Sequence, residues 1–286
     1  MRTVLKWTAI VVGGLFILIL ILGGILYFIG SSKVEEVYVV ESAELEIPSD
    51  SAALAMGAHL VEINGCADCH GENLAGQVFV DAPPFRVTAS NLTSGEGGVG
   101  RRYSAEDYDR AIRHGVRPDG RPLLIMPSAA FHRLSDDDAA ALIAYVMSVP
   151  PVDNPLPPSV VRLPGRLMAS FALDPAMEVS TSRPPVRSAP EAGPTPEYGR
   201  YLASITCRYC HGEGLRGAQP PLPDSPPAPD LAAAGAWPLD QFKEALRTGE
   251  RPGGPDINPE FMPIALTRNM TDVELEALHA YLAELL

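Results

Sequence analysis

The stretch "NGCADCHGENLAG" (residues 64–76) places two cysteines and a histidine within five consecutive positions. A Cys-x-x-Cys-His sequence is compatible with four chemistries: half of a disulfide framework, part of a zinc site, a redox-active dithiol, or a covalent attachment point for haem. Each needs something different from the rest of the chain. Zinc needs four ligands, a thioredoxin-like dithiol needs a βαβ context, and a haem iron needs a second axial ligand.

The same order of features occurs twice along the chain. Three blocks recur: "LVEINGCADCHGENLAG" (60–76) with "LASITCRYCHGEGLRG" (202–217), "YDRAIRHGVRPDG" (108–120) with "FKEALRTGERPGG" (242–254), and "MPSAAFHRLSDDDAAALIAYV" (126–146) with "MPIALTRNMTDVELEALHAYL" (262–282). Because the blocks keep nearly the same spacing, the sequence predicts two copies of one domain rather than a solenoid.

Each Cys-x-x-Cys pair carries its own histidine, and the pairs occupy equivalent points of separate repeats. A disulfide between cysteines three positions apart would stabilise little, and a zinc site shared by both pairs would require neither histidine. Haem attachment requires both features, because the thiols bind the porphyrin vinyl groups and the histidine faces the same side of the helix. We therefore predict two covalently bound haem c groups, attached at Cys66, Cys69, Cys207 and Cys210.

The motif histidines His70 and His211 are the predicted proximal iron ligands, which leaves one axial position of each iron to fill. Met126 and Met262 are the candidates for that position. Each precedes a proline, and they follow their histidines by 56 and 51 residues respectively. The matched placement favours iron ligation over core packing, which remains the alternative for a methionine.

Four other histidines receive a simpler interpretation. His114 and His132 are rival ligands in the first repeat, but their counterparts in the second repeat are a threonine and an arginine. We interpret these two, together with His59 and His279, as surface histidines.

An iron ligated by both histidine and methionine has no open position, so it transfers electrons and does not readily bind peroxide or oxygen. The sequence therefore predicts an electron-transfer protein, not an enzyme, and assigns no catalytic residue. Two alternatives remain: a dihaem enzyme of the peroxidase or thiosulfate-oxidising type with one labile axial position, and a structural assembly subunit whose haems are bystanders.

Helix signals dominate both repeats. Ser104 and Ser135 are predicted N-caps, Gly115 is a predicted helix end, and Thr271 with Glu274 forms a predicted capping box. No convincing run of alternating residues indicates a strand, and the Pro-rich segment "PPLPDSPPAPD" (220–230) indicates a loop. The fold class expected from these signals is all-α.

No charged residue occurs between Trp7 and Ser32, a run long enough to cross a bilayer as a helix. A cleaved signal peptide would have a shorter apolar run and a small-residue cleavage site, so we expect an uncleaved anchor that contacts membrane lipid through residues 7–30. Arg2 and Lys6 precede the run, which places the N-terminus in the cytoplasm and the haem domains on the outer, periplasmic face of the cytoplasmic membrane.

The formal net charge of −13 argues against nucleic acid as a partner, because like charges repel. It favours docking with basic surfaces on integral-membrane or periplasmic redox partner subunits. The expected organisation is a transmembrane anchor (1–32), a spacer (33–50), a first haem c domain (51–150), a Pro-rich linker (151–196) whose apolar middle lies against a domain surface, and a second haem c domain (197–286).

Both repeats resemble class I c-type cytochrome domains, which are small all-helical folds around one covalent haem. The segment from "FRVTASNLTSGEGG" to "IAYVMSVP" (85–150) is in addition similar to the haem domains of membrane-bound cytochrome c subunits of bacterial alcohol and sugar-acid dehydrogenases, with Tyr103 where that family usually has tryptophan. Those subunits typically carry three haems and this sequence has two motifs. The main expectation is therefore an electron relay in a respiratory or photosynthetic complex, and a dehydrogenase cytochrome subunit is the alternative.

Overall fold

The structure, a computed structural model, describes residues 2–220 and 225–286. Its α-helices are α1 (Arg2–Val34), α2 (Ser51–Ile63), α3 (Cys66–His70), α4 (Ala105–His114), α5 (Ser128–Phe131), α6 (Asp136–Ser148), α7 (Leu163–Ala169), α8 (Pro196–Thr206), α9 (Arg208–His211), α10 (Leu239–Thr248), α11 (Ile264–Thr267) and α12 (Asp272–Ala283). Its strands are β1 (Gln77–Ala82), β2 (Phe85–Ala89), β3 (Val160–Val161), β4 (Arg216–Ala218) and β5 (Ala228–Asp230), and a 3-10 helix covers Ala232–Ala236.

Each repeat contains a small antiparallel hairpin, so the all-α expectation is only approximately correct. β1 pairs with β2, β3 extends that sheet at β2, and β4 pairs with β5. A register shift between Val78 and Val80 interrupts the alternation of the first hairpin. The strands of the second hairpin are only three residues long. Neither segment therefore carries the regular period of two by which a strand is recognised in a sequence.

The predicted helix ends are confirmed. α4 begins after Ser104 with a complete capping box and ends at Gly115, whose φ of 69° is in the left-handed region. Ser135 caps α6, and Thr271 and Glu274 form the capping box of α12. Within the Pro-rich loop predicted over 220–230, residues 221–224 lie outside the described residues, and the last three residues form β5.

One glycine in each repeat allows two helices to cross at close range. At the crossing of α2 and α6, a Cβ on Gly57 would lie 2.1 Å from the carbonyl oxygen of Ala141. At the crossing of α8 and α12, a Cβ on Gly199 would lie 1.9 Å from the carbonyl oxygen of Ala277. The crossing buries apolar side chains from all four helices, which form one continuous core.

The Pro-rich linker runs along the first repeat and is not a free tether. The Nδ2 of Asn91 donates a hydrogen bond to the carbonyl of Val152, 2.8 Å away, at the start of the linker. The expected contact of its apolar middle is confirmed, because β3 pairs with β2 and α7 follows directly. α7 in turn packs against α1, the helix that is long and apolar enough to cross a membrane.

The two repeats contact each other through equivalent surfaces, which are related by a pseudo-twofold axis. The alignment of Gly57 with Gly199 pairs His59 with Tyr201. His59 of α2 bonds Glu274 of α12, and the hydroxyl of Tyr201 donates to Asp138 at the equivalent position of α6. In the same manner α5 packs against α8, and α11 packs against α2. The repeats thus meet as an internal pseudo-dimer, which places each methionine-bearing segment beside the other repeat.

Candidate haem-binding sites

The Cys-x-x-Cys-His segment of each repeat is a single helical turn. α3 begins after Gly65 (φ 67°) and ends at Gly71 (φ 78°), and α9 ends at the equivalent Gly212 (φ 81°). Residues four positions apart lie on one side of a helix. The first cysteine and the histidine of each segment are four positions apart, which places them on the same side of the turn.

A leucine in the left-handed region follows each segment. Leu74 and Leu215 both have a φ of 56°, which is uncommon for a residue with a Cβ, and both are buried. The carbonyl of Leu74 accepts a 2.8 Å bond from Leu92, and that of Leu215 accepts a 2.9 Å bond from Leu231. This turn leads the chain back past the histidine, so the residue two positions before each of these donors lies beside the imidazole.

The motif histidines are fixed by main-chain carbonyls. Nδ1 of His70 lies 2.8 Å from the carbonyl oxygen of Ser90, and Nδ1 of His211 lies 2.9 Å from that of Pro229. A carbonyl can only accept, so Nδ1 carries the proton and Nε2 keeps its lone pair. Burial lowers the pKa of both imidazoles, with the carbonyl bond acting in the opposite direction. Both histidines are thus held neutral with Nε2 available, which is the form that ligates a metal.

The four motif cysteines are free thiols in partly buried positions. Burial raises the pKa of all four, and that of Cys66 reaches about 12. A redox-active dithiol needs a lowered thiol pKa, so this environment argues against thioredoxin-like chemistry. Cys66 and Cys207 lie against the apolar core, where a bound porphyrin would be shielded from water.

The two candidate methionines occupy the same local structure. Met126 and Met262 are half-buried, and each precedes a proline that caps a four-residue helix, α5 or α11. The residue after the proline donates a hydrogen bond to the methionine carbonyl in both repeats, over 2.7 Å in the first and 2.9 Å in the second. Met270, by contrast, is buried in the core, as its alignment with Leu134 indicates.

The surface interpretation of the remaining histidines is wrong for His114 and incomplete for the others. His114 is fully buried and its Nδ1 lies 2.6 Å from the carbonyl oxygen of Ser180 in the linker. Partly buried positions are occupied by His132, His279 and His59, which bond main-chain or carboxylate oxygens. The sequence concealed these contacts because their partners are distant in the chain.

The donor set of each repeat fits haem c better than zinc. Among residues 2–220 and 225–286 no group of three or more His, Cys, Asp or Glu side chains is arranged to hold a metal ion. What each repeat offers instead is two thiols, one imidazole with a free Nε2 and one thioether, which are the groups that attach and ligate haem.

Glu178 is a residue at the site that sequence reasoning missed. It is 3% exposed, its Oε2 accepts a 3.0 Å bond from the amide of Ala129 in α5, and its Oε1 accepts a bond from the hydroxyl of Tyr209 in α9. A buried carboxylate therefore joins the helix after Met126 to the Cys-x-x-Cys-His segment of the other repeat. Nothing in the Pro-rich composition of the linker signals this role.

Comparison with known proteins agrees with this donor set. The family profile described as cytochrome c matches residues 54–150 and again residues 196–286. The chain belongs to the cytochrome c family. Cytochrome c domains carry covalently attached haem c, and the two matches coincide with the two repeats.

Related proteins are cytochrome subunits of dehydrogenases. The cytochrome subunit of fructose dehydrogenase from Gluconobacter japonicus is 36% identical over 129 residues, which cover 42% of this chain and 26% of that protein. The cytochrome c subunit of alcohol dehydrogenase (quinone) from Gluconobacter oxydans (strain 621H) is 34% identical over 181 residues (57% and 36%). That of gluconate 2-dehydrogenase from Pantoea cypripedii is 28% identical over 221 residues (72% and 48%). The chain thus spans between about a quarter and a half of the length of these relatives.

Proposed function

We propose that this cytochrome c family member is a membrane-anchored dihaem protein that relays single electrons on the outer face of the cytoplasmic membrane. Its two haem domains would cover residues 51–150 and 197–286, joined by the linker 151–196 and held at the membrane through the anchor 1–32 and the spacer 33–50. The observation that carries the proposal is the matched histidine geometry, in which a main-chain carbonyl binds Nδ1 and leaves Nε2 free in both repeats.

In this proposal each side chain has a defined role. Haem c, when bound, supplies a one-electron iron couple at a potential that its axial ligands and burial tune. The attaching thiols are Cys66 and Cys69 in the first repeat and Cys207 and Cys210 in the second. The residues that would ligate the two irons are His70 with Met126, and His211 with Met262. The carbonyls of Ser90 and Pro229 orient the imidazoles, and the apolar core excludes water.

The pseudo-twofold packing supports transfer between the two centres within one chain. α5, which follows Met126, contacts α9 of the second repeat, and α11, which follows Met262, contacts α2 of the first. Because α5 and α11 directly follow the two ligand methionines and each contacts the other repeat, both haems would lie near the domain interface. The chain would then act as a two-centre relay.

The relatives favour a dehydrogenase complex as the host, which was the alternative to a respiratory or photosynthetic complex. Each of the relatives described above is named as the cytochrome subunit of a dehydrogenase. We propose that this chain is the non-catalytic electron-transfer subunit of such an oxidoreductase and docks to a catalytic or integral-membrane subunit through a basic surface on that partner. The net charge of this chain, −13, supports docking to a positively charged surface.

The full-length protein purified in detergent tests the proposal. The pyridine haemochrome assay should give two haems c per chain, and the ferric protein should show the thioether-ligand absorption band. Met126→Ala and Met262→Ala should each remove part of that band and lower one of the two reduction potentials. The matched control is Met147→Ala, because Met147 is 49% exposed and lies outside the ligand segments.

A haem content below two per chain would contradict the assignment of the attachment sites. Unchanged band intensity and potentials in either methionine variant would contradict the ligand assignment. Peroxide turnover by the unmodified protein would instead favour the dihaem enzyme. The native assembly isolated from membranes should contain a dehydrogenase catalytic subunit. An assembly that contains an oxidase or a photosynthetic reaction centre instead would contradict the proposed host complex.

A further inference from the structure

The short helix α7 of the linker has two apolar sides, and only one of them is covered by protein. Gly165 and Ala169, four positions apart, are buried. Met168 and Phe171 face outward with 37% and 71% of their surface exposed, and Leu163 at the start of the helix is 62% exposed. A Leu, a Met and a Phe exposed within nine residues are unusual for a surface in contact with water.

α7 contacts the anchor helix at a defined level. A Cβ on Gly30 of α1 would lie 1.6 Å from the carbonyl oxygen of Arg166 and 3.2 Å from the amide nitrogen of Ser170, so α7 crosses α1 there at the closest range. Trp7 and Tyr27, the aromatic residues with a polar group nearest the two ends of the apolar run, are 20 residues apart. That separation is about 30 Å along a helix, the thickness of a bilayer core. Gly30 is one turn beyond Tyr27 and thus at the level of the lipid headgroups.

The other side of α7 is tied to the first repeat. Arg162, directly before the helix, donates a hydrogen bond to Asp81 of β1, with 2.6 Å between Nη2 and Oδ1. Gly165 packs so closely on the end of the first hairpin that a Cβ there would lie 2.3 Å from the carbonyl oxygen of Pro84. Arg166 also forms a 2.8 Å ion pair with Glu35, just after α1. α7 is therefore fixed both to the anchor and to the haem domain.

We infer that the outer side of α7 and of the turn that follows it, formed by Leu163, Met168 and Phe171, inserts into the outer leaflet of the bilayer as a second membrane contact. The inference rests on the proposal that α1 spans the membrane. Lipid is the occupant that the position favours, because this side is apolar and exposed and α7 crosses α1 at its headgroup end. Interfacial helices bury such a face about 5–10 Å into the boundary between headgroups and acyl chains.

This contact would give the anchor a second function. A single spanning helix leaves the attached domain free to rotate and tilt about its end. A second contact on α7, braced by the Arg166–Glu35 pair, would hold the first repeat in one orientation towards the membrane. The second repeat, joined through the pseudo-twofold interface, would be held together with it.

Single-cysteine variants of the full-length holoprotein in nanodiscs of phosphatidylcholine and phosphatidylglycerol test this contact. The native cysteines are consumed by haem attachment in the proposed function, so an introduced thiol is a unique reporter. Leu163→Cys and Phe171→Cys should react with a charged, membrane-impermeant maleimide several-fold more slowly than Val273→Cys, a residue 40% exposed in the second repeat. They should also be cross-linked by a lipid that carries a photoreactive group on its acyl chain. Equal reactivity after denaturation shows that every thiol is intact.

Leu18→Cys, in the middle of α1, separates failure of this inference from failure of the anchor. If it is protected while Phe171→Cys reacts as fast as Val273→Cys, the anchor stands and the α7 contact is rejected. Protection of Phe171→Cys without lipid cross-linking would place protein on this face and would also reject it. If Leu18→Cys itself reacts rapidly, the membrane-spanning helix and the α7 contact both fail.

Discussion

Nε2 of His59 lies 2.8 Å from Oε1 of Glu274, and this contact joins residues that are 215 positions apart. Glu274 is the capping-box residue of α12, so one carboxylate both caps a helix and binds the other repeat. The equivalent contact across the pseudo-twofold axis runs from Tyr201 to Asp138. The repeat-to-repeat interface is therefore built from the helix caps themselves, which couples the folding of each C-terminal helix to domain docking.

The charges of this pair set a pH window. The bond to Glu274 raises the pKa of His59 above its ordinary 6.5, although burial opposes it. Burial alone would raise the pKa of Glu274, but bonds from His59 and Thr271 outweigh it and hold the pKa below its ordinary 4.5. The His59 contribution is complete below pH 6.5 and is lost as the pH rises through the raised folded pKa. The Glu274 contribution is complete above pH 4.5 and is lost as the pH falls through the lowered folded pKa.

His59→Asn should therefore lower the free energy of unfolding by about 1.5–3 kcal/mol within that window, because a hydrogen bond to a charged group is lost. Guanidinium unfolding followed by circular dichroism at about pH 6 and about pH 9 measures the effect, which should shrink at the higher pH as wild-type His59 loses its charge. Tyr201→Phe removes the equivalent contact, which contains no imidazole. The free energy of unfolding that this variant loses should therefore be similar at both pH values. An equal cost of His59→Asn at both would contradict the ion pair.

The two crossing glycines should not tolerate even a methyl group. Gly57→Ala and Gly199→Ala would each bring a Cβ to about 2 Å from a carbonyl oxygen of the partner helix. The helices must then separate, and overpacking of this kind costs about 1–3 kcal/mol. The midpoint of guanidinium unfolding should fall in both variants. Gly193→Ala is the control, since its nearest atom, in Thr195, is 3.8 Å away, and an equal fall there would refute the steric explanation.

Arg113 should be essential for the stability of the first repeat. Its Nε lies 2.5 Å from Oδ1 of Asp109, and both side chains are fully buried. Arg113→Met would leave the Asp109 carboxylate buried without its cation, which costs about 3–5 kcal/mol. Arg247→Met, the equivalent change in the second repeat, should cost at most about 1 kcal/mol, because an exposed pair is screened by water. Arg247 is 42% exposed and its partner Asp272 is 66% exposed. Comparable losses in unfolding free energy would show that burial does not decide the effect.

Glu178 should influence the potentials of both haems. Its buried carboxylate contacts α5 of the first repeat and Tyr209 of the second, and a nearby negative charge favours the oxidised iron. Glu178→Gln should therefore raise both reduction potentials by an amount on the order of tens of millivolts. Spectroelectrochemical titration measures the shift. Glu213→Gln, at a side chain that is 74% exposed, is the control and should change them little. A shift confined to one centre would contradict the bridging position of Glu178.

Short-range patterns were sufficient for much of the local structure. Ser104, Ser135 and Thr271 were predicted as helix caps and act as caps, because a cap bonds an amide two or three residues away in the chain. The internal repeat likewise predicted two domains of the kind that the family profile matches. The hairpin over 77–89 was missed because its bulge breaks the alternation that reveals a strand.

By itself, then, the sequence determined the repeat, the helix caps and the residue types that attach haem, all of which depend on neighbours within a few positions. Only the tertiary structure decided which carbonyl orients each histidine, because Ser90 and Pro229 contribute main-chain oxygens that every residue possesses. It alone also decided the His59–Glu274 contact, the placement of Glu178 and the covering of Gly30 by α7. These contacts join distant parts of the chain, and their partners are selected by the packing of whole helices rather than by local spacing.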